Sequence, residues 1–236
     1  MMKQTHANKY LIQRIGGELR QCVSSTGHTP RILNIGAAKT IYIEDDLSSD
    51  GCVYVADRID VDDCTVTHPH IRECWKCSVE SMRPVNSQQY DFAIANWVLE
   101  HVPDLSKAAG EMYRILKPSG KLITAVPNPA SPEFLFARLT PLWIHKMIRG
   151  QNHDEDETYH TYHTCYAYDS IKQLLEIFKQ AGFREIEIKY FPTIESYVSR
   201  FPFLNFPGKL YDKIISSLKI KPLMGHVCIL FEKPST

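Results

Sequence analysis

Four short apolar runs, each closed by a small or polar residue, constrain this chain more than any other feature. They are Arg31–Ile35 before Gly36, Cys52–Ala56 before Asp57, Phe92–Ala95 before Asn96, and Leu122–Val126 before Pro127. A continuous run of this kind suits a strand covered on both faces, as in a parallel sheet layered by helices. Amphipathic segments lie between and around the runs. Asn8–Val23 carries Leu11, Ile12, Ile15, Leu19 and Val23 on one stripe, although Gly16 and Gly17 each weaken a helix by about 1 kcal/mol relative to alanine. After Asp104, a natural N-cap, Leu105, Ala108, Ala109, Met112, Tyr113 and Leu116 keep the three-four spacing until Lys117-Pro118-Ser119-Gly120 stops the helix. A further helix runs from a cap at Asp169 or Ser170 through Ile171, Leu174, Leu175, Phe178 and Ala181 to Gly182. Two alternating strands come last, one with Ile186, Ile188 and Tyr190 and one with Val227, Ile229 and Phe231.

This order predicts an open α/β sheet, parallel in its first part, within a single domain over residues 1–236. Residues 128–168, rich in aromatics, prolines and charges, break the alternation and read as an inserted cap or lid.

With 27 basic against 27 acidic side chains, the chain lacks the overall positive field that would draw it to nucleic acid. No apolar run approaches the ~20 residues of a membrane span, and the N-terminus has no signal-peptide pattern. A soluble, cytoplasmic protein is expected. Its seven cysteines are then expected to be reduced thiols. Cys74 and Cys77 form one CxxC, but no second close pair supports structural zinc.

Ligands of open α/β sheets bind outside the carboxyl ends of the strands. Gly36 follows the first run and allows close backbone approach. Asp57 lies 57 − 36 = 21 residues further on, near the ~20-residue interval at which an acid meets a ribose. Asn96 closes the third run. Together these point to a nucleoside-type cofactor.

Asn34-Ile35-Gly36-Ala37-Ala38 resembles the glycine-rich first motif of class I S-adenosylmethionine-dependent methyltransferases, in their small-molecule (type 11/12-like) group. The block from Tyr90 to Val102, ending Leu99-Glu100-His101-Val102, is similar to the family's fourth-strand region. Glu111–Leu122, with its Arg-Ile-Leu-Lys-Pro core, and Gln180-Ala181-Gly182-Phe183 resemble later family motifs. The resemblance implies a Rossmann-like, mostly parallel sheet with an antiparallel last strand, helices on both faces and a cap after the fifth strand. It also implies S-adenosylmethionine as cofactor and a small molecule as acceptor. Gly36 and Ala37 would line the methionine portion, Asp57 would hold the ribose, and Arg58 would flank the adenine. Ser78 and Val79 would border the adenine's far edge, and Asn96 would offer backbone near the sulfonium. Departures accompany the match. Asn34, which the resemblance puts among the cofactor-binding residues, stands where the motif begins with an acid, and Ala38 and Thr40 replace glycines. Related quinone and catechol enzymes bind metal through an ExxEH pattern; Glu100 and His101 fit it but Trp97 replaces its first Glu, so no metal is expected.

The sulfonium is already activated, so alignment and exclusion of water supply most of the rate. A hydroxyl or carbon acceptor also needs a base, and His101, with His163 or His160 from the insertion, is the expected source. The alternative for His101 is helix capping. Apolar residues of the insertion (Phe134, Leu135, Phe136, Leu139, Leu142, Trp143, Ile144, Met147) and the Phe201–Pro207 stretch suggest an apolar or lipid-linked acceptor, or peripheral contact with a membrane. Ordinary lid packing or a dimer contact is the alternative. For the whole chain, the competing class is a non-catalytic binding or regulatory protein that keeps the fold, a reading supported by the altered first motif.

Overall fold

The computed structural model describes residues 5–139, 165, 167–198 and 202–235. Seven strands form one sheet: β1 (Arg31–Ile35), β2 (Val55–Asp60), β3 (Ile71–Lys76), β4 (Tyr90–Asn96), β5 (Leu116–Pro127), β6 (Arg184–Phe191) and β7 (His226–Glu232). Their order is β3-β2-β1-β4-β5-β7-β6. The first five pair in parallel, while β7 runs antiparallel to both β5 and β6. Strand order reverses between β1 and β4, which makes that junction the switch point where ligands of open α/β sheets bind. The α/β architecture with an antiparallel last strand matches the expectation.

Helices cover both faces. Side chains alternate along each strand, so Ile32 of β1 and Ile94 of β4 pack with Leu11, Ile15 and Leu19 of α1 (His6–Thr26) and Ile43 and Leu47 of α2 (Tyr42–Ser49). On the other face, Leu33, Ala93 and Leu122 pack with Met112 of α3 (Leu105–Ile115) and Leu174 and Phe178 of α5 (Ile171–Gln180). The expected caps form: Asp104 accepts from the Lys107 amide at 3.0 Å and Ser170 from the Gln173 amide at 3.2 Å.

Two strands differ from the sequence expectation. β2 begins later and runs on to Asp60, so Asp57 lies inside the strand and does not end it. β3 is absent from the strand candidates because it lies at the sheet edge, half exposed, with no buried run to read. The stretch containing Phe203 and Phe206 is helical: α6 (Ile194–Val198) is followed by α7 (Pro202–Ser217). Of the expected insertion, α4 (Pro132–Leu139) is described, whereas Leu142, Trp143, Ile144 and Met147 lie outside the described residues. Among the described residues, no helix is long and apolar enough to cross a membrane.

Candidate functional site

At the switch point, the carboxyl ends of β1 to β4 open into a crevice of about 420 Å³. Its floor is the turn after β1. Gly36 adopts φ +66°, and a Cβ there would collide with the Val98 side chain, so only glycine suits the position. The amides of Gly36 and Ala37 donate to the Ile59 carbonyl at 2.9 and 3.2 Å, tying the turn to β2. Ala38 takes the left-handed conformation (φ +46°) that a glycine would occupy without strain.

Arg58 holds this turn from beneath. It is wholly buried, donates to the carbonyls of Ala37 (2.7 Å) and Thr40, and lies 3.5 Å from the Glu44 carboxylate. Glu44 in turn accepts from the Asn34 side-chain amide at 2.9 Å. Arg58, Asn34 and Ala37 do not line the crevice, although Ala37 follows Gly36 directly in the turn. The expectation that Arg58 flanks the adenine is corrected by alternation along β2: its side chain enters the α1/α2 face, where carbonyls and Glu44 absorb its charge.

Asp57 is also withdrawn from the crevice. It points to the other face, 1% exposed, and accepts from Arg31 (2.8 Å) and from the Tyr90 hydroxyl (2.8 Å). This cluster joins the middle of β2 to the starts of β1 and β4, and burial together with Asp57 pushes the Tyr90 phenol well above its ordinary range. The acid on the crevice is Asp60, the last residue of β2. One carboxylate oxygen accepts from the Ala38 amide at 2.8 Å and the other from the Asp62 amide at 3.0 Å. A carboxylate oxygen can accept from more than one donor at a time. The Asp57-Arg58-Ile59-Asp60 sequence holds the signal: ending the strand at its last acid instead of its first finds the residue.

Ser78 and Val79 line the opposite wall, with Cys77 and Glu80 beside them. Glu80 is anchored by the Asp104 amide (2.6 Å), which docks the start of α3 against this wall. Asn96 ends β4, but its side chain donates to the Tyr42 hydroxyl and is not part of the lining. The next two residues, Trp97 and Val98, are part of it. Trp97 also has a left-handed backbone (φ +58°), donates from Nε1 to Asn8 of α1 at 2.6 Å and meets His226 edge-on at 4.5 Å. Burial lowers the His226 pKa to about 4.

His101 lies on the crevice wall, in a single 3-10 turn (Leu99–His101), with Val102, Pro103 and Cys165. Cys165 closes over this turn: its amide donates to the Glu100 carbonyl (2.9 Å) and its thiol to the His101 carbonyl (3.3 Å). His160 and His163 lie outside the described residues. Glu100 faces inward from the same turn, and burial raises its carboxyl pKa to about 8. Among the described residues, no three His, Cys, Asp or Glu side chains gather to hold a metal ion.

A glycine-floored crevice at a strand switch point, with an acid at the end of the second strand and largely apolar walls, defines an α/β protein of the nucleoside-binding type. A methyltransferase-domain family model matches residues 16–188, well over half of the sequence, and the chain belongs to that family. It is 26% identical over 115 residues to a demethylmenaquinone methyltransferase of Lactiplantibacillus plantarum, a match covering 46% of this chain and 47% of that protein. The chain therefore spans about half the length of that curated relative. Among solved structures it is similar to phosphoethanolamine N-methyltransferase 2 of Haemonchus contortus in complex with S-adenosyl-L-methionine, with a TM-score of 0.55 and 16% identity, covering 94% of this chain and 52% of that one. It is equally similar in fold to the [4+2]-cyclase SpnF, with a TM-score of 0.56 and 15% identity over 95% of this chain and 82% of that one. At these identities the likeness concerns the fold.

Proposed function

We propose that this protein is an S-adenosylmethionine-dependent methyltransferase acting on a small, apolar acceptor. The observation that carries the reading is Asp60, held by two backbone amides at the lip of a crevice floored by Gly36. The crevice volume of about 420 Å³ falls within the roughly 300–1,000 Å³ of small-molecule sites. The residues present suit the cofactor: a carboxylate for paired ribose hydroxyls, and Ile35, Val61, Val79 and Val98 for a flat apolar base.

When bound, S-adenosylmethionine supplies a methyl group already activated on sulfur. The chain's part is to orient and exclude. The Gly36 turn allows backbone approach without a side chain, and Arg58 keeps the turn's carbonyls directed inward. Asp60 fixes the sugar, while Ser78 and Val79 close the wall beyond it. His101 is the residue on this wall that we assign to take the proton from a substrate that must lose one. Phe134 and Trp97, both packed against the neutral His226 ring, support an apolar acceptor near the ends of β4 and β5. The seven cysteines, all free thiols, suit a reducing cytoplasm.

Calorimetric titration with S-adenosylmethionine tests the reading. Wild type is expected to bind, Asp60→Ala to lose at least tenfold in affinity, and Asp57→Asn to lose stability while keeping affinity. Absence of binding by folded wild type at millimolar cofactor would refute it. Equal losses in the two variants would refute the assignment of Asp60.

A further inference from the structure

The outer face of α7 carries a second concentration of apolar surface, apart from the crevice. Phe203, Phe206, Leu210 and Ile214 are 75, 75, 47 and 47% exposed, and Leu218, just past the helix end, is 66% exposed. Positions i, i+3, i+7 and i+11 stack on one side of a helix, so the four form a single stripe, which Leu218 extends. The inward side of the helix is occupied differently. Gly208 packs closely on Val198 of α6, Ile215 is buried, and Asp212 accepts from the amides of Ile194 and Glu195 at 3.2 and 2.9 Å.

Charge distinguishes this face from a spare piece of core. The chain as a whole is neutral, with 27 basic and 27 acidic residues, yet residues 202–225 contain four lysines and one acid. The acid is the buried Asp212, turned away from the stripe, whereas Lys209, Lys213, Lys219 and Lys221 are all exposed. Lys209 and Lys213 flank the stripe along the helix, and Lys209 stands 3.8 Å from the Glu195 carboxylate of α6. An exposed aromatic and aliphatic stripe bordered by lysines is the composition of a helix lying in the plane of a lipid interface.

We propose that α7 docks this protein on an anionic lipid surface, with Phe203, Phe206, Leu210 and Ile214 entering the headgroup boundary and the lysines pairing with lipid phosphates. A second copy of the chain suits the face poorly, because a two-fold contact would bring the lysines of one helix against those of the other. The inference goes beyond the methyltransferase reading and does not rest on it.

The test is co-sedimentation of the full chain with vesicles of phosphatidylcholine alone and of phosphatidylcholine mixed with phosphatidylglycerol. Binding to the anionic vesicles only, weakening with salt, is expected. Replacing Lys209 and Lys213 with Gln should lower binding about 25-fold, ~5-fold for each lysine near the surface. The pair Leu210→Glu and Ile214→Glu should abolish it at every salt concentration. Both changes lie on the exposed face, and unchanged thermal unfolding would show that the variants fold. Three outcomes would overturn the proposal: no vesicle binding by wild type, equal binding to neutral vesicles, or self-association in sedimentation equilibrium that Leu210→Glu dissolves.

Discussion

Glu100 offers the sharpest test of how the 3-10 turn beside the crevice is built. Its side chain is buried, and one carboxylate oxygen has no hydrogen-bond partner among the described residues. Burial raises its pKa from 4.5 to about 8, so at pH 7 about nine molecules in ten hold it as the neutral acid. Because the folded pKa lies above the unfolded one, the folded state binds more protons, and stability must fall as pH rises through this window. The difference between pH 5 and pH 9 is about 4 kcal/mol, since each tenfold change in proton affinity is worth about 1.36 kcal/mol. Glu100→Gln keeps the shape and removes the titration. Urea unfolding at pH 5, 7 and 9 should therefore show the variant gaining on wild type by about 4 kcal/mol across the range, with little difference at the acid end. Two curves that stay parallel from pH 5 to pH 9 would refute the reasoning, because they would mean that the carboxyl ionises as freely in the folded chain as in the unfolded one.

Ala38→Gly should stabilise the protein by up to about 1 kcal/mol in denaturant unfolding, because it removes the left-handed strain at φ +46° against a smaller entropic cost. Gly36→Ala should instead lower stability and cofactor affinity together, since its Cβ must displace Val98 in a left-handed turn; a titration matching wild type would count against the close approach. His226 has a folded pKa of about 4, below its ordinary 6.5, so its contribution is present above pH 6.5 and lost as pH falls. Acid unfolding should show about 3 kcal/mol of loss between pH 7 and pH 4 that His226→Gln lacks.

The parallel order of the sheet is legible in the sequence because β1, β4 and β5 carry uninterrupted apolar runs, and the caps at Asp104 and Ser170 are legible from local chemistry alone. The second strand is harder to read because it buries charges. Asp57, Arg58 and Asp60 are each silenced by a partner distant in sequence: Arg31 and Tyr90 for the first, Glu44 and the turn carbonyls for the second, the Ala38 amide for the third. A local pattern cannot report such partners, so the apolar run stops at Ala56 and the strand-end acid falls three residues early. β3 escapes for the opposite reason. At the sheet edge, Arg72 and Glu73 need no burial, and their side chains stay in solvent. His101, which belongs to the Leu99-Glu100-His101-Val102 motif, and Ser78 and Val79, placed only by resemblance, stand on the crevice wall, whereas Asn34 and Asn96 turn their side chains to Glu44 and Tyr42.

The guanidinium beneath the β1 turn has a wider consequence. Conformational memory in this loop resides in a cation that clamps carbonyl groups from the far side of the backbone, instead of in a string of residues lacking side chains. Redesign of the loop should accordingly begin below the sheet surface, at the clamp, and leave the visible motif for last.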